Sequence, residues 1–261
     1  MSNIAKAFDH GKALIPFITC GDPCLEATEE FIHAVAEGGA DLVELGIPFS
    51  DPTAEGPVIM EANARALSAG TTTEKIFDLV RRLRKDISIP MVFMTYANVL
   101  FSYDSEEFIR TSKEIGIDGF ILPDIPFEEK EEFDSICKAY DRDLVSLIAP
   151  TSEDRITMIA REASGFLYCV SSLGVTGTRS AITTDVGAMI RTAKAATDIP
   201  CAVGFGISGP EQAAAMAAVS DGAIVGSAYM KRIAEYGPQA APHIRSFTQE
   251  LRAAVDSVTA G

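Results

Sequence analysis

The sequence predicts a closed eightfold α/β barrel, a (β/α)8 fold, and three observations carry the prediction. Eight short apolar, β-rich runs recur along the 261 residues. Most of these runs are continuous rather than alternating, as parallel strands buried on both faces require. Helix-like stretches separate them at regular spacing, with no shift of composition that would mark a second domain. A long doubly wound sheet is the alternative, and the regular spacing favours the barrel. One domain over residues 1–261 is expected.

The first run, "ALIPFITC" (13–20), leads into "PCLEATEEFIHAVAEGG", a helix expected to start at Pro23 after Asp22 and to stop at Gly38 and Gly39. The second, "DLVELGI" (41–47), enters "VELGIPFSDPTAEGP", whose three prolines and two glycines exclude a helix interior and break the strand soon after Leu45. The interval before the third run, "PMVFMTY" (90–96), is the longest. It holds "GPVIMEANARALSAG" and "TTEKIFDLVRRLRKD", which predict an extra helix before the usual one. The fourth and fifth runs are "GFILPDI" (119–125) and "DLVSLIAP" (143–150). After them "SEDRITMIAREASG" is a helix with Ser152 or Asp154 as N-cap and Gly165 at its end. The last three runs are "FLYCVSS" (166–172), "PCAVGFGI" (200–207) and "GAIVGSA" (222–228). Between the final pair, "SGPEQAAAMAAVSDG" repeats the helix pattern with Ser208 and Pro210.

Composition narrows the function. No apolar run approaches the roughly 20 residues that span a bilayer, and "MSNIAKAFDHGK" lacks a signal-peptide core. A cytoplasmic protein is expected. The net charge of −15 suits neither nucleic acid nor an anionic membrane, so local dipoles must hold any anionic substrate. Of the five cysteines, Cys20, Cys169 and Cys201 sit in strand runs and read as small core residues of a reduced protein. Cys20 and Cys24 have no second Cys or His pair, so no metal site is expected.

Active residues of such a barrel come from the carboxyl ends of the strands and the loops that follow. Glu44 falls there, although a strand-end glutamate can also simply face solvent. Lysine and histidine are absent from all eight runs, which leaves no obvious Schiff-base nucleophile and no obvious metal ligands. Carboxylates, Tyr168 and small residues remain, and these imply acid–base chemistry. Gly206, Gly226 and Ser227 follow the seventh and eighth strands, where barrels often hold a phosphate. "SSLGVTGTRSAI" after the sixth strand reads as a lid, and its glycines predict mobility around Gly174 to Ser180 that opens Arg179 to trypsin.

These residues also carry a family likeness. "ALIPFITCGDP", "DLVELGIPFSDPTAEGP", "YAN" (96–98), "LPDIPFEE", "APTSED", "VSSLGVTGTR", "VGFGIS" and "GAIVGSA" run nearly end to end. In them the chain resembles the tryptophan synthase α-subunit family. The resemblance implies a TIM barrel that splits indole-3-glycerol phosphate into indole and glyceraldehyde 3-phosphate. It implies no cofactor in this chain, and a β-subunit partner that carries pyridoxal phosphate, assembled as an α2β2 tetramer. By motif position, Glu44 matches the family's general acid/base, Glu55 an acid that accepts the indole N–H, and Tyr168 an active-site tyrosine. Phe17 would line the pocket. Thr176 and Gly177 would join Gly206, Gly226 and Ser227 around the phosphate. Pro48, Asp51, Asn98 and Pro126 fall where the family meets its partner. The chain departs from the common pattern at Glu55 (usually Asp), Thr53 (usually apolar) and Met60 (commonly Gln). A different sugar-phosphate barrel enzyme, or a barrel that only activates its partner, are the competing readings.

Overall fold

The computed structural model describes residues 3–171, 186–204 and 206–258. Its strands are β1 (Ala13–Thr19), β2 (Val43–Gly46), β3 (Met91–Met94), β4 (Gly119–Ile121), β5 (Asp143–Leu144), β6 (Ser146–Ile148), β7 (Leu167–Val170), β8 (Cys201–Gly204) and β9 (Gly222–Val225). All pair in parallel, in the order β5-β4-β3-β2-β1-β9-β8-β7-β6. The two ends of that order belong to one run. β5 and β6 are separated by Val145, whose N–H still donates to Phe120 O at 2.9 Å. The fifth run therefore changes neighbour at Val145, pairing first with β4 and then with β7, and this closes the barrel. The nine strand segments are the eight expected runs.

Helices α1 (Leu25–Glu37), α2 (Pro57–Ser68), α3 (Thr73–Leu83), α4 (Ala97–Tyr103), α5 (Ser105–Ile115), α6 (Glu131–Ala139), α7 (Glu153–Arg161), α8 (Val186–Lys194), α9 (Pro210–Val219), α10 (Ser227–Tyr236) and α11 (Ala241–Asp256) surround the strands. The extra helix after the second strand is present as α2, ahead of α3. A second insertion was not foreseen. Asp104 breaks "ANVLFSYDSEEFIR" into α4 and α5 by adopting φ +76°, while its carboxylate accepts the Glu107 N–H at 3.0 Å. Aspartate is among the few side chains that tolerate this region and cap a helix as well.

Three predicted boundaries move. α1 begins after Cys24 rather than at Pro23. α7 is capped by Ser152 as expected, but ends at Arg161; Gly165 instead supplies φ +68° in the turn to β7. The N-cap of α9 is Gly209, not Ser208, whose N–H and hydroxyl both donate to Gln212 Oε1 at 2.6 and 2.7 Å.

Aspartates tie the lower rim together. Asp41, Asp118 and Asp221 each stand just before a strand and accept an N–H from the start of the neighbouring one, from Leu14, Met91 and Cys201 at 2.7, 2.9 and 2.8 Å. Each also meets a cation, Arg252, Arg84 and Lys194 respectively. The 3-10 turn Ile4–Phe8 closes this end, with Phe8 against Phe166 at 5.8 Å. Ionic ties at the bottom leave the opposite rim to the βα loops. No described helix is long and apolar enough to cross a membrane.

Candidate active site

Parallel register sets Glu44 on the inner face of the barrel. Phe17 stands opposite Glu44, Thr19 opposite Gly46, and Val92 opposite Glu44 on the other side. In-register residues of parallel strands point to one face, so these side chains share the interior. Glu44 is fully buried, and among the described residues neither carboxyl oxygen has a hydrogen-bond partner. Burial therefore pushes its pKa well above the ordinary carboxylate range, since nothing nearby compensates the loss of water. Burial thus favours the neutral form of this inward-facing acid, which is no solvated strand-end residue.

Tyr168 is buried on β7. Its phenol is held well above its usual pKa by burial first and by the Glu44 charge second, which places the two groups within electrostatic reach. Two glycines make room for the aromatic walls. A Cβ on Gly46 would lie 2.5 Å from Phe17 Cζ, and one on Gly204 would lie 2.4 Å from the Tyr168 hydroxyl oxygen. Gly204→Ala must displace the Tyr168 ring and should cost about 1–3 kcal/mol of stability, the range for overpacking. Gly226→Ala meets Phe17 only at 3.5 Å, an ordinary contact, and should unfold like the parent. Urea unfolding midpoints compare them; equal midpoints would contradict this packing.

Glu55 sits at the end of the loop after β2, just ahead of Gly56, the N-cap of α2. It is 8% exposed. Asn63 Nδ2 on α2 donates to its Oε2 at 2.6 Å, and the Tyr96 hydroxyl also hydrogen-bonds it. Tyr96 in turn accepts the Ala54 N–H at 3.3 Å and stacks on Phe49 with centroids 5.1 Å apart. Burial raises the Glu55 pKa to about 7, against the opposing pull of the Asn63 and Tyr96 hydrogen bonds. Both forms of this carboxyl are thus populated near neutrality.

The sequence reading did not single out Asn63 or Tyr96 as site residues. "YAN" was the only trace of Tyr96, and nothing in the spacing marks Asn63. Two residues beyond Asn63, Arg65 makes a bidentate pair with the buried Asp22 carboxylate at 2.8 and 2.7 Å. Helix α2 thereby clasps both the β1–α1 loop and the Glu55 loop. The inserted helix is a splint for the rim. Met60 on its outer face is exposed, so a Met there disturbs no core.

Gly226 is the N-cap of α10 and Ser227 its first residue, at the top of β9. The first N–H groups of a helix have no intrahelical partner and favour anions. Gly206 holds φ +81° with open space where a Cβ would stand. Phe17 borders both the Glu44 layer and Gly226. Thr176, Gly177 and the expected lid with Arg179 lie outside the described residues.

The four expected partner-contact residues fall in three places. Pro48 and Asn98 line one groove of about 420 Å³ with Phe49, Leu67 and Tyr103. Pro126 lines another cleft of about 200 Å³ with Phe127 and Arg155. Asp51 is exposed on the loop after β2 and accepts the Ser50 hydroxyl at 2.5 Å. Among the described residues no group of three His, Cys, Asp or Glu is placed to hold a metal ion. All five cysteines are free thiols.

A neutral buried acid, a second carboxyl that titrates near 7 and an anion-ready helix terminus suit proton transfer on a phosphorylated substrate. Comparison with known proteins gives the family. The family model described as tryptophan synthase alpha chain matches residues 4–259. The tryptophan synthase alpha chain of Lactiplantibacillus plantarum is 45% identical over 261 residues, 100% of this chain and 98% of that one. The crystal structure of tryptophan synthase subunit alpha from Legionella pneumophila superposes with a TM-score of 0.88 at 34% identity, covering 99% of this chain and 100% of that one. The Pyrococcus furiosus structure described for mutual activation of the tryptophan synthase α2β2 complex gives 0.86 at 36% identity, covering 93% and 99%. The chain belongs to the tryptophan synthase alpha chain family.

Proposed function

We propose that this chain cleaves indole-3-glycerol phosphate to indole and glyceraldehyde 3-phosphate, a carbon–carbon lyase step of L-tryptophan biosynthesis, with Glu44 as its acid and base. The observation that carries the mechanism is the fully buried, unpartnered Glu44 carboxyl on the inner face of the barrel. The neutral acid gives its proton to indole C3, and positive charge develops on the ring nitrogen. The resulting Glu44 carboxylate then takes the proton of the hydroxyl on the adjacent chain carbon. The carbon–carbon bond breaks, its electron pair returns to the ring, and that carbon becomes the aldehyde. Glu44 ends protonated, ready for the next cycle.

Glu55, in its ionised form, accepts the ring N–H and stabilises the charge that develops there, an interaction strongest in the transition state. Tyr168 and Phe17 wall the indole. The phosphate sits on the N-terminus of α10 at Gly226 and Ser227, with Gly206, Thr176 and Gly177 around it. These protein groups supply every proton transfer of the step, so the chain needs no cofactor of its own. Residues 1–261 act as one domain.

The partner is a tryptophan synthase β subunit with pyridoxal phosphate, in an α2β2 assembly that Pro48, Asp51, Asn98 and Pro126 help to form. The Pyrococcus furiosus complex, an α2β2 assembly marked by mutual activation, supports this reading. Indole release from indole-3-glycerol phosphate by the purified chain, alone and with β subunit, tests it. Release should be low for the chain alone and should rise on addition of the partner. A chain that isomerises a sugar phosphate and releases no indole would overturn the reading; a rate unchanged by β subunit would overturn the coupling.

A further inference from the structure

Thr19 is a second orphan beside Glu44. It is fully buried at the upper end of β1, and its hydroxyl has no hydrogen-bond partner among the described residues. Such a group is costly to leave unpaired, and each instance calls for an explanation. Its register opposite Gly46 places it on the same inner face as Phe17 and Glu44. The Phe17 ring takes the space that a Gly46 side chain would fill, and the position of an absent Cβ there lies 2.5 Å from Phe17 Cζ and 3.4 Å from Thr19 Cα, so Thr19 stands next to the aromatic wall.

The order of strands decides what this hydroxyl can meet. β1 lies between β2, which carries Glu44, and β9, which leads to Gly226 and Ser227. A substrate with its indole at Glu44 and its phosphate on α10 must run its three-carbon chain across the top of β1. That chain carries two hydroxyls. The one next to the ring loses its proton to Glu44, and the other survives in glyceraldehyde 3-phosphate. Once water is excluded, the surviving hydroxyl needs a partner from the protein. Thr19 offers one hydroxyl that both donates and accepts.

We propose that Thr19 is a substrate-binding and specificity-determining residue, whose hydroxyl bonds the surviving chain hydroxyl of the substrate. The proposal rests on the substrate assigned above. It makes Thr19 the group that distinguishes a hydroxylated chain from a bare one. A site built to hydrogen-bond a hydroxyl rejects an analogue that lacks it, because its own buried group is then left unpaired.

Three variants and two ligands test this: the parent, Thr19→Val and Thr19→Ser, with indole-3-glycerol phosphate and with indole-3-propanol phosphate, whose chain has no hydroxyl. Thr19→Val keeps the shape and loses no bond within the protein, so its unfolding midpoint should equal or exceed the parent's. Its kcat/KM for indole release should fall by about 10- to 100-fold, the cost of one unmet buried hydrogen bond. Its Kd for indole-3-propanol phosphate should stay unchanged or tighten, and Thr19→Ser should recover most of the lost rate. Equal losses with both ligands, or a fall in stability that tracks the activity, would show a structural role and overturn the proposal. A Thr19→Val enzyme with parental kcat/KM would overturn it too, leaving the lyase reading intact. A parent chain that releases no indole, alone or with β subunit, would overturn both.

Discussion

Glu44→Gln should reduce indole release by about 10³-fold or more while leaving substrate affinity largely unchanged. Proton transfer by a placed side chain contributes roughly 10²–10⁴-fold, and Glu44 is asked to transfer a proton in each direction. Glutamine matches the shape of the neutral acid but cannot ionise. Removing an acid also removes a cost of folding. A carboxyl raised by burial is protonated in both the folded and the unfolded chain at low pH. As pH rises past the ordinary carboxylate range only the unfolded chain ionises, and the native state is penalised until the folded pKa is passed. The variant should therefore be as stable as the parent or more so at pH 8. Turnover, ligand affinity, and unfolding midpoints at pH 5 and 8 decide the matter. A variant with near-parental turnover would sink the mechanism, and an inactive but unstable one would point to a structural glutamate.

Glu55→Gln should cost about 2–4 kcal/mol in the barrier, the range for one lost electrostatic contact to a developing charge. The amide oxygen still accepts the ring N–H, but the negative charge is gone. Glu55→Asp should keep substantial activity, although Asn63 and Tyr96 hold the carboxyl of the longer side chain. The pH dependence gives a sharper signature. With a pKa of about 7, Glu55 is ionised above neutrality and protonated below it, so kcat/KM of the parent should rise as pH increases through about 7. Glu55→Gln should lose that rise. Its stability relative to the parent should increase between about pH 4.5 and 7, where the unfolded parent ionises and the folded one resists. A rise through pH 7 that persists in Glu55→Gln would assign it to another group.

What the amino-acid pattern revealed follows from where the forces are local. The strands were legible because parallel strands in a barrel bury both faces, and "ALIPFIT" or "MVFM" has no polar side to misread. The acid at Glu44 was legible for the same reason, as a carboxyl inside such a run. Glycine and serine after the last two strands stand out because barrels often hold a phosphate there, and their role in this chain is a proposal. The change of neighbour at Val145 was not legible, since a backbone that bonds Phe120 on β4 and then pairs with β7 leaves no mark on side-chain pattern. The break at Asp104 was hidden because Asp is unremarkable in a helix-like stretch until its φ is known. The grip of Asn63 and Tyr96 on Glu55 was hidden for a different reason. The two partners arrive from a helix and from another strand end, and only the closed barrel brings them together.

The most direct test of the central claim isolates proton transfer from bond cleavage. Indole bound in the site in D2O should exchange its C3 hydrogen for deuterium whenever Glu44 protonates C3 and takes a proton back, with no carbon–carbon bond made or broken. Exchange followed by proton NMR, with glycerol 3-phosphate present to fill the phosphate corner, should be faster with the parent than in buffer. It should fall to the buffer rate with Glu44→Gln. Equal exchange in the parent and in Glu44→Gln would contradict the assignment of Glu44 as the acid and base.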